Sequence, residues 1–228
     1  MRDFTTAFPA HFLPAFQQGV LTYTYKGISC MKCPIDLAIY TKLIWDLRPR
    51  SAVEIGTHKG GSALWLADTI SAAAIDCAIL SIDLSPAAEF TDPRIEFLAG
   101  DAARLDATLT RDRLGQLQHP WLVIEDSAHS YYTTCAAIGF FADAMLPGDV
   151  LVIEDGVLAE LGLSEQHQGG PNRAVGEFLT AYPTCFRVMD EYCDMFGRNG
   201  TYNPNAYLAK IQPLKLVPNP TSLTWLTR

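Results

Sequence analysis

Ser51-Ala-Val-Glu-Ile-Gly-Thr-His-Lys-Gly-Gly-Ser62, followed by Ala63, Leu64, Leu66 and Ala67, is the stretch whose reading decides the fold. A short apolar run ends at an acid and a glycine, and a helical apolar pattern begins after a glycine pair. This reads as a strand, a tight turn and a helix N-terminus. Glycine is needed where a backbone turns sharply or a ligand comes close, and the free N–H groups of the next helix offer an anion site. A dinucleotide fingerprint would read Gly-x-Gly-x-x-Gly. Here a single Gly56 precedes a three-residue gap to Gly60, and Glu54 stands two residues before it. An acid there suits hydroxyls or an ammonium better than a pyrophosphate. The expected ligand is a nucleoside cofactor without a diphosphate, with S-adenosylmethionine the leading candidate. Glu54, Gly56, Thr57, Gly60 and Ser62 are its expected contacts. A glycine turn with no ligand fits the same pattern.

Outward from this turn, apolar runs alternate with helical patterns. Strands are expected at 52–55, 78–84, 95–98, 121–125 and 150–153, with two late ones near 185–189 and 206–211. Helices are expected at 34–47, 61–74, 102–114, 130–145 and 172–182. The alternation predicts an α/β, Rossmann-like, doubly wound and mainly parallel seven-stranded sheet. Asp83 ends the second strand, 27 residues after Gly56. That separation suits a carboxylate gripping ribose hydroxyls, although a turn Asp before Ser85-Pro86 is ordinary. Asp101-Ala102 follows the third strand, where the acid either caps a helix or bonds an adenine amino group.

The chain has 228 residues with 49% hydrophobic content, enough for one full core. An N-terminal arm or lid is expected over 1–33, where Pro9 and Pro14 break any long helix, and a main domain over 34–228. Lys+Arg 17 against Asp+Glu 25 gives a net charge of -8, and no basic stripe interrupts it, so no nucleic-acid partner is expected. No apolar run reaches the length of a membrane span and the N-terminus lacks a signal-peptide core, which points away from membranes and toward the cytoplasm. Cys30, Cys33, Cys77, Cys135, Cys185 and Cys193 complete no zinc set and read as reduced thiols. A homo-oligomer is the expected assembly.

Two strands end in paired acids, Glu125-Asp126 and Glu154-Asp155. Ligands of open α/β sheets collect at such strand ends, and carboxylates gathered there repel unless a cation intervenes. Hard oxygen donors favour Mg²⁺, with Mn²⁺ or Ca²⁺ as rivals. Asp126, Glu154 and Asp155 are the expected ligands. Glu125 is expected to point away, and Glu154 and Asp155 can both serve only if the chain has already turned between them. Acids that cap helices and solvate loops are the alternative. His129, three residues after Asp126, would lie one helical turn along and over the same pocket, where it could take a proton from a substrate hydroxyl. Residues 156–170 read as a mobile loop over the site, with Gly169-Gly170 as its hinge.

Several separate motifs carry a resemblance over residues 25–210: Lys32-Cys-Pro-Ile-Asp-Leu37, Arg48-Pro-Arg-Ser-Ala-Val-Glu-Ile-Gly56, Gly60-Gly-Ser-Ala63, Asp126-Ser-Ala-His129, Ile153-Glu-Asp155, Gly170-Pro171 with Ala174-Val175, and Asn203-Pro204 with Tyr207-Leu208. On these the chain resembles the cephalosporin-hydroxylase-like group of Rossmann-fold methyltransferases and is similar to metal-dependent macrolide and sugar O-methyltransferases. The resemblance implies that Asp126, Glu154 and Asp155 hold Mg²⁺, that His129 is the base, and that the glycine loop, Asp83 and Asp101 hold S-adenosylmethionine. Tyr25-Lys26-Gly27 stands where a Trp is common, and Asn205-Ala206 replaces a Gly before Tyr207, so the acceptor is not carried over. The expected function is methyl transfer from S-adenosylmethionine to a hydroxyl of a small, glycosylated or polyketide-type metabolite in natural-product biosynthesis. The rivals are a nicotinamide oxidoreductase and a non-catalytic binding protein on the same fold.

Overall fold

The computed structural model describes residues 2–88 and 90–214. The stretch 215–228, assigned above to the main domain, lies outside the described residues. The chain opens with helix α1 (Leu13–Thr22), a small hairpin of β1 (Thr24–Tyr25) and β2 (Ile28–Ser29), and helix α2 (Pro34–Leu47). Strand β3 (Ser51–Ile55), helix α3 (Gly61–Ala72), β4 (Ala78–Asp83) and β5 (Ile95–Ala99) follow. A short helix α4 (Arg111–Leu114) leads to β6 (Trp121–Glu125), α5 (Tyr131–Ala144), β7 (Val150–Ile153) and α6 (Gly170–Ala181). The chain returns through β8 (Phe186–Val188), the one-turn helix α7 (Asp190–Cys193) and β9 (Tyr207–Lys210).

Two local expectations change. Pro14 does not prevent a helix in the arm: it falls in the first turn of α1, where its missing N–H leaves no bond unmade. The helix expected over 102–114 is instead a 3-10 stretch (Ala102–Ala107) and then α4. Arg104 has non-helical φ/ψ there, and the Thr110 hydroxyl accepts from Arg113 N–H to start a new helix.

The sheet order is β5-β4-β3-β6-β7-β9-β8, parallel from β5 through β7 and antiparallel at β9 and β8. Every residue of β3, β6 and β7 is buried, as strands covered on both faces must be. Alternate residues serve opposite faces. Ala52, Leu122, Ile124, Val150 and Val152 pack on Ile39, Leu43, Leu66 and Ile70 of α2 and α3. Val53, Val123, Leu151 and Ile153 pack on Ile138, Phe141 and Phe178 of α5 and α6.

β3 leads outward to β4 and β5 on one side, while the later strands lie on the other, so the switch point falls between β3 and β6. Backbone bonds tie the strand tips together there: Asp126 N–H to Ile55 C=O at 2.8 Å, Gly56 N–H to Ile82 C=O at 2.7 Å, and Glu154 N–H to Glu125 C=O at 2.9 Å. Gly56 has φ +111°, and a Cβ on it would run into the Asp126 carbonyl. The turn therefore needs glycine for its conformation and for its neighbour. Gly61 is needed for close approach alone, since a Cβ there would meet the carbonyls of Ile28 and Ser29.

Gly56→Ala is expected to cost about 2–4 kcal/mol in denaturant unfolding, through left-handed strain and displacement of the Asp126 backbone. Gly115→Ala, at φ -63° with ordinary clearance, should change stability by less than about 1 kcal/mol. Equal losses at the two positions would contradict this account of the switch point.

Candidate active site

The strand tips open into a cavity of about 770 Å³. Gly56, Thr57, Ser62, Asp83, Asp101 and Ala102 line one part of it, and Asp126, His129 and Asp155 line another. Asp83 joins β4 to the glycine turn: its Oδ2 accepts from His58 N–H at 3.0 Å and its Oδ1 from Ser85 N–H at 3.0 Å. It thus has the local bonds of a turn Asp and a place on the cavity wall. Asp101 also does both: its Oδ1 accepts from Ala103 N–H at 2.8 Å as a cap, and the residue lines the cavity.

Two expected cofactor contacts stand behind the wall rather than on it. Gly60 caps α3 at φ +87° beneath Ala88 and Phe90. Glu54 is buried on the face of the sheet that α2 and α3 cover, and it accepts from the Ser81 hydroxyl at 2.6 Å. Ser81 in turn accepts from the Thr57 hydroxyl at 2.7 Å. Burial pushes the Glu54 carboxyl up to about 7. The pleat explains this orientation, because Glu54 shares its parity in β3 with Ala52, which packs beneath α2 and α3. Glu54 supports the turn through Ser81 and Thr57.

Asp126, His129 and Asp155 form the second group, with one ligand atom from each lying within 4.8 Å of the others. His129 Nε2 is 3.3 Å from Asp155 Oδ2 and 3.9 Å from Asp126 Oδ1. His129 reaches this point differently from the expectation of one helical turn. It precedes α5, whose N-cap is Ser130, and sits in left-handed backbone at φ +52°. Asp155 is also left-handed, at φ +60°, so the chain has indeed turned between Glu154 and Asp155. Glu125 points away, buried, accepting from the Ser127 and Thr134 hydroxyls.

Glu154 lies on the far side of an ammonium group that sequence reasoning missed. Lys32 is buried and its Nζ lies 2.5 Å from Asp126 Oδ2 and 2.7 Å from Glu154 Oε2. Glu154 Oε1 accepts from the Tyr40 hydroxyl at 2.7 Å. Asp155 is held by its backbone, donating N–H to Asn203 Oδ1 at 3.0 Å. Asn203 Nδ2 donates to the Tyr207 hydroxyl at 3.3 Å, and that hydroxyl donates to Asp36 Oδ1 at 3.2 Å. The available signals were weak. Lys32, Asp36 and Tyr40 are spaced by four, and Lys32 lies in a quoted motif, but only the tertiary fold gives them targets.

Burial pushes Lys32 down, yet Asp126, Glu154 and Glu54 outweigh it and hold the ammonium well above its usual range. Burial likewise raises the carboxyls of Asp126, Glu154 and Asp155, each against the pull of a neighbouring cation. For His129, burial works downward and the surrounding carboxylates prevail, so its imidazole titrates above the ordinary value. His129 Nδ1 is buried with no hydrogen-bond partner among the described residues. The carboxylates of Asp126 and Asp155 converging on one point, among acids short of positive charge, fit a hard divalent cation, with His129 beside them.

The remaining wall comes from the arm and from the segment after β7. Gln17, Val20 and Leu21 of α1, Met31, Leu158 and Leu163 line it. Residues 156–170 fold as a 3-10 turn (Gly156–Ala159) and further turns, anchored to α5 by Tyr131 N–H donating to the His167 carbonyl at 3.0 Å. Gly169 and Gly170 are left-handed, at φ +93° and +59°, where the hinge was expected. No helix among the described residues is long and apolar enough to cross a membrane, and the six cysteines are free thiols.

Known proteins are similar to this chain. A rhamnosyl O-methyltransferase of Mycobacterium tuberculosis is 26% identical over 195 residues, covering 82% of this chain and 78% of that protein. The rhamnosyl O-methyltransferase of Mycobacterium leprae is 28% identical over 171 residues, covering 71% and 72%. A solved structure of CmcI with Mg and SAM superposes with a TM-score of 0.65 at 25% identity, over 84% of this chain and 78% of that one. The model of the family described as Rhamnosyl O-methyltransferase/CmcI matches residues 17–211, from the arm helix to just past the last strand of the sheet. With the match running through the glycine turn, both pairs of strand-end acids and the helix that backs them, the chain belongs to the Rhamnosyl O-methyltransferase/CmcI family.

Proposed function

We propose that this chain transfers the methyl group of S-adenosylmethionine to a hydroxyl of a small sugar-bearing metabolite, at a site that takes Mg²⁺ through Asp126, Glu154 and Asp155, with His129 as the base. The observation that carries the reading is the meeting of Asp126, His129 and Asp155 on one wall of a cavity whose other wall is the glycine turn with Asp83 and Asp101. Membership of an O-methyltransferase family sets aside the nicotinamide and non-catalytic readings. In this reading Gly56, Thr57, Ser62, Asp83, Asp101 and Ala102, which line the cavity, contact the methyl donor, while Glu54 and Gly60 shape the turn from behind.

When bound, Mg²⁺ supplies Lewis acidity that eases loss of a hydroxyl proton. The rest falls to the chain. Asp126 and Asp155 present carboxylate oxygens toward His129, and Glu154, engaged by Lys32 and Tyr40, completes the set of acids. His129 Nε2 takes the hydroxyl proton. The substrate oxygen forms its new bond to the methyl carbon as the carbon–sulfur bond breaks, and the sulfur keeps that electron pair. Leu158 and Leu163, with Val20 and Leu21 of α1, flank the cavity with apolar surface that limits water. Holding two reactants in line and stabilising the developing oxyanion are the main contributions asked of the protein.

Two measurements test this reading. Titration calorimetry should show S-adenosylmethionine or its demethylated product binding without metal, and Asp83→Ala weakening it by about 1–3 kcal/mol through lost charge-assisted bonds. A chain that bound NAD and neither of these ligands would contradict the proposal. With labelled methyl donor and a panel of glycosides, chelator should abolish transfer and Mg²⁺ restore it. Asp126→Asn and Asp155→Asn should resemble permanent chelation, whereas His129→Ala should keep Mg²⁺ binding and lose roughly 10²–10⁴ in kcat. Full turnover in excess chelator would overturn the metal assignment.

A further inference from the structure

The acids at the strand tips do not hold their positions unaided. Lys32 enters from the turn before α2, where Met31 is left-handed at φ +49°. Asp36 and Tyr40 follow on the helix, four residues apart and therefore on one face. Both residues are buried, Asp36 at 2% exposure and Tyr40 at 1%. Each of the three side chains ends in polar contacts that lead to an acid of the site. Lys32 bridges Asp126 and Glu154. Tyr40 donates to the Glu154 oxygen that Lys32 leaves free. Asp36 accepts from the Thr201 hydroxyl, from Tyr202 N–H at 3.0 Å and from the Tyr207 hydroxyl. It thereby fixes the segment in which Asn203 accepts the Asp155 N–H and gives N–H to the Thr201 hydroxyl at 3.0 Å.

We propose that Lys32 in the turn before α2, Asp36 and Tyr40 on α2, and Asn203 form the positioning element of this active site: Tyr40 and Lys32 orient Glu154, Lys32 orients Asp126, and Asn203 holds the left-handed backbone of Asp155. The proposal rests on the reading of these acids as the Mg²⁺ site. Its physical basis is geometric. Each Glu154 oxygen has one partner, Tyr40 or Lys32, so its rotamer is set from α2 and the turn before it and not from its own strand, and each oxygen keeps a further lone pair. Asp126 gives one oxygen to Lys32, which turns the other toward His129 and Asp155. Asp155 sits in backbone that non-glycine residues seldom adopt, and the bond to Asn203 is what ties that backbone to the wall behind it. Tyr40, Lys32 and Asn203 touch no substrate on this account; they act through the acids.

Groups that orient metal ligands typically change metal affinity by 10–100-fold when removed. Mg²⁺ titration by calorimetry, on the full chain with the demethylated cofactor present, is therefore the test. Tyr40→Phe keeps the buried ring and removes one oxygen, and it should weaken Mg²⁺ by roughly tenfold while cofactor affinity measured in chelator stays unchanged. Asn203→Ala should do likewise. The decisive comparison is a double-mutant cycle. Tyr40→Phe should have no further effect on Mg²⁺ once Glu154→Gln is in place. A purely structural role predicts additive losses and an equal fall in cofactor binding, which would overturn the proposal. Mg²⁺ uptake by the unaltered chain with Tyr40→Phe indistinguishable from it would overturn this proposal alone, whereas no uptake by the unaltered chain would overturn the metal reading and this proposal together. Should Asn203→Ala fail to fold, Tyr40→Phe and its cycle decide the matter.

Discussion

Like charge gathered out of water is the constraint on which this structure turns. Glu54, Asp126, Glu154 and Asp155 stand within a few side-chain lengths of one another at the ends of three adjacent strands. Two like charges about 4 Å apart repel by about 4 kcal/mol at an effective dielectric of about 20, comparable to a large part of a domain's stability. The chain answers first with Lys32, brought in from outside the sheet between Asp126 and Glu154. One ammonium does not balance the set, and the acids remain pushed upward by burial. The residual deficit faces His129 and the cavity, an imbalance that a divalent cation there would offset.

The topology explains why this deficit arises where it does. At a switch point the helices following β3 and β6 leave toward opposite faces, and the strand tips open into a crevice. α3 covers one face after β3, and α5 covers the other after β6. The crevice puts the glycine turn and Asp126 next to each other, close enough that a Cβ on Gly56 would strike the Asp126 carbonyl. β7 then adds Glu154 and Asp155, beside β6 in register with it. On the proposed assignment, a methyl donor at the turn and a cation at the acids would be neighbours without sharing a ligand side chain. Their closeness follows from strand order, which local sequence does not specify.

How much could be read beforehand follows from the range of each interaction. The glycine turn, the strand-end acids and the alternation of strands with helices are local patterns, and the seven-stranded mainly parallel sheet followed from them. The helix expected over 102–114 failed because the Asp101 and Thr110 caps each begin a separate turn, an outcome that apolar spacing does not show. His129 was placed over the acids through helical periodicity, yet it gets there in a left-handed turn, so the neighbourhood was right and the route was different. Glu54 shares the parity of Ala52 and so lies on the face beneath α2 and α3, a face that only the packing of those helices identifies. Lys32, Tyr40 and Asn203 were not legible because their partners lie 94, 114 and 48 residues away.

The two halves of the site differ in what supports them, and this difference bears on function. The cofactor half is made of strand ends and their turns, stitched by backbone bonds and by Asp83 and Asp101 accepting nearby N–H groups. Such contacts are set as soon as β3, β4 and β5 pair. The acid half depends on side chains from α2 and from the segment 201–207, which must dock on the sheet before Glu154 and Asp155 have fixed directions. Its geometry is therefore a property of tertiary packing, whereas that of the cofactor half is a property of the sheet. On the proposed assignment, a change on α2 that leaves the core intact would loosen the acids and spare the cavity wall at the glycine turn, because among the described residues the two walls share no supporting side chain from that helix.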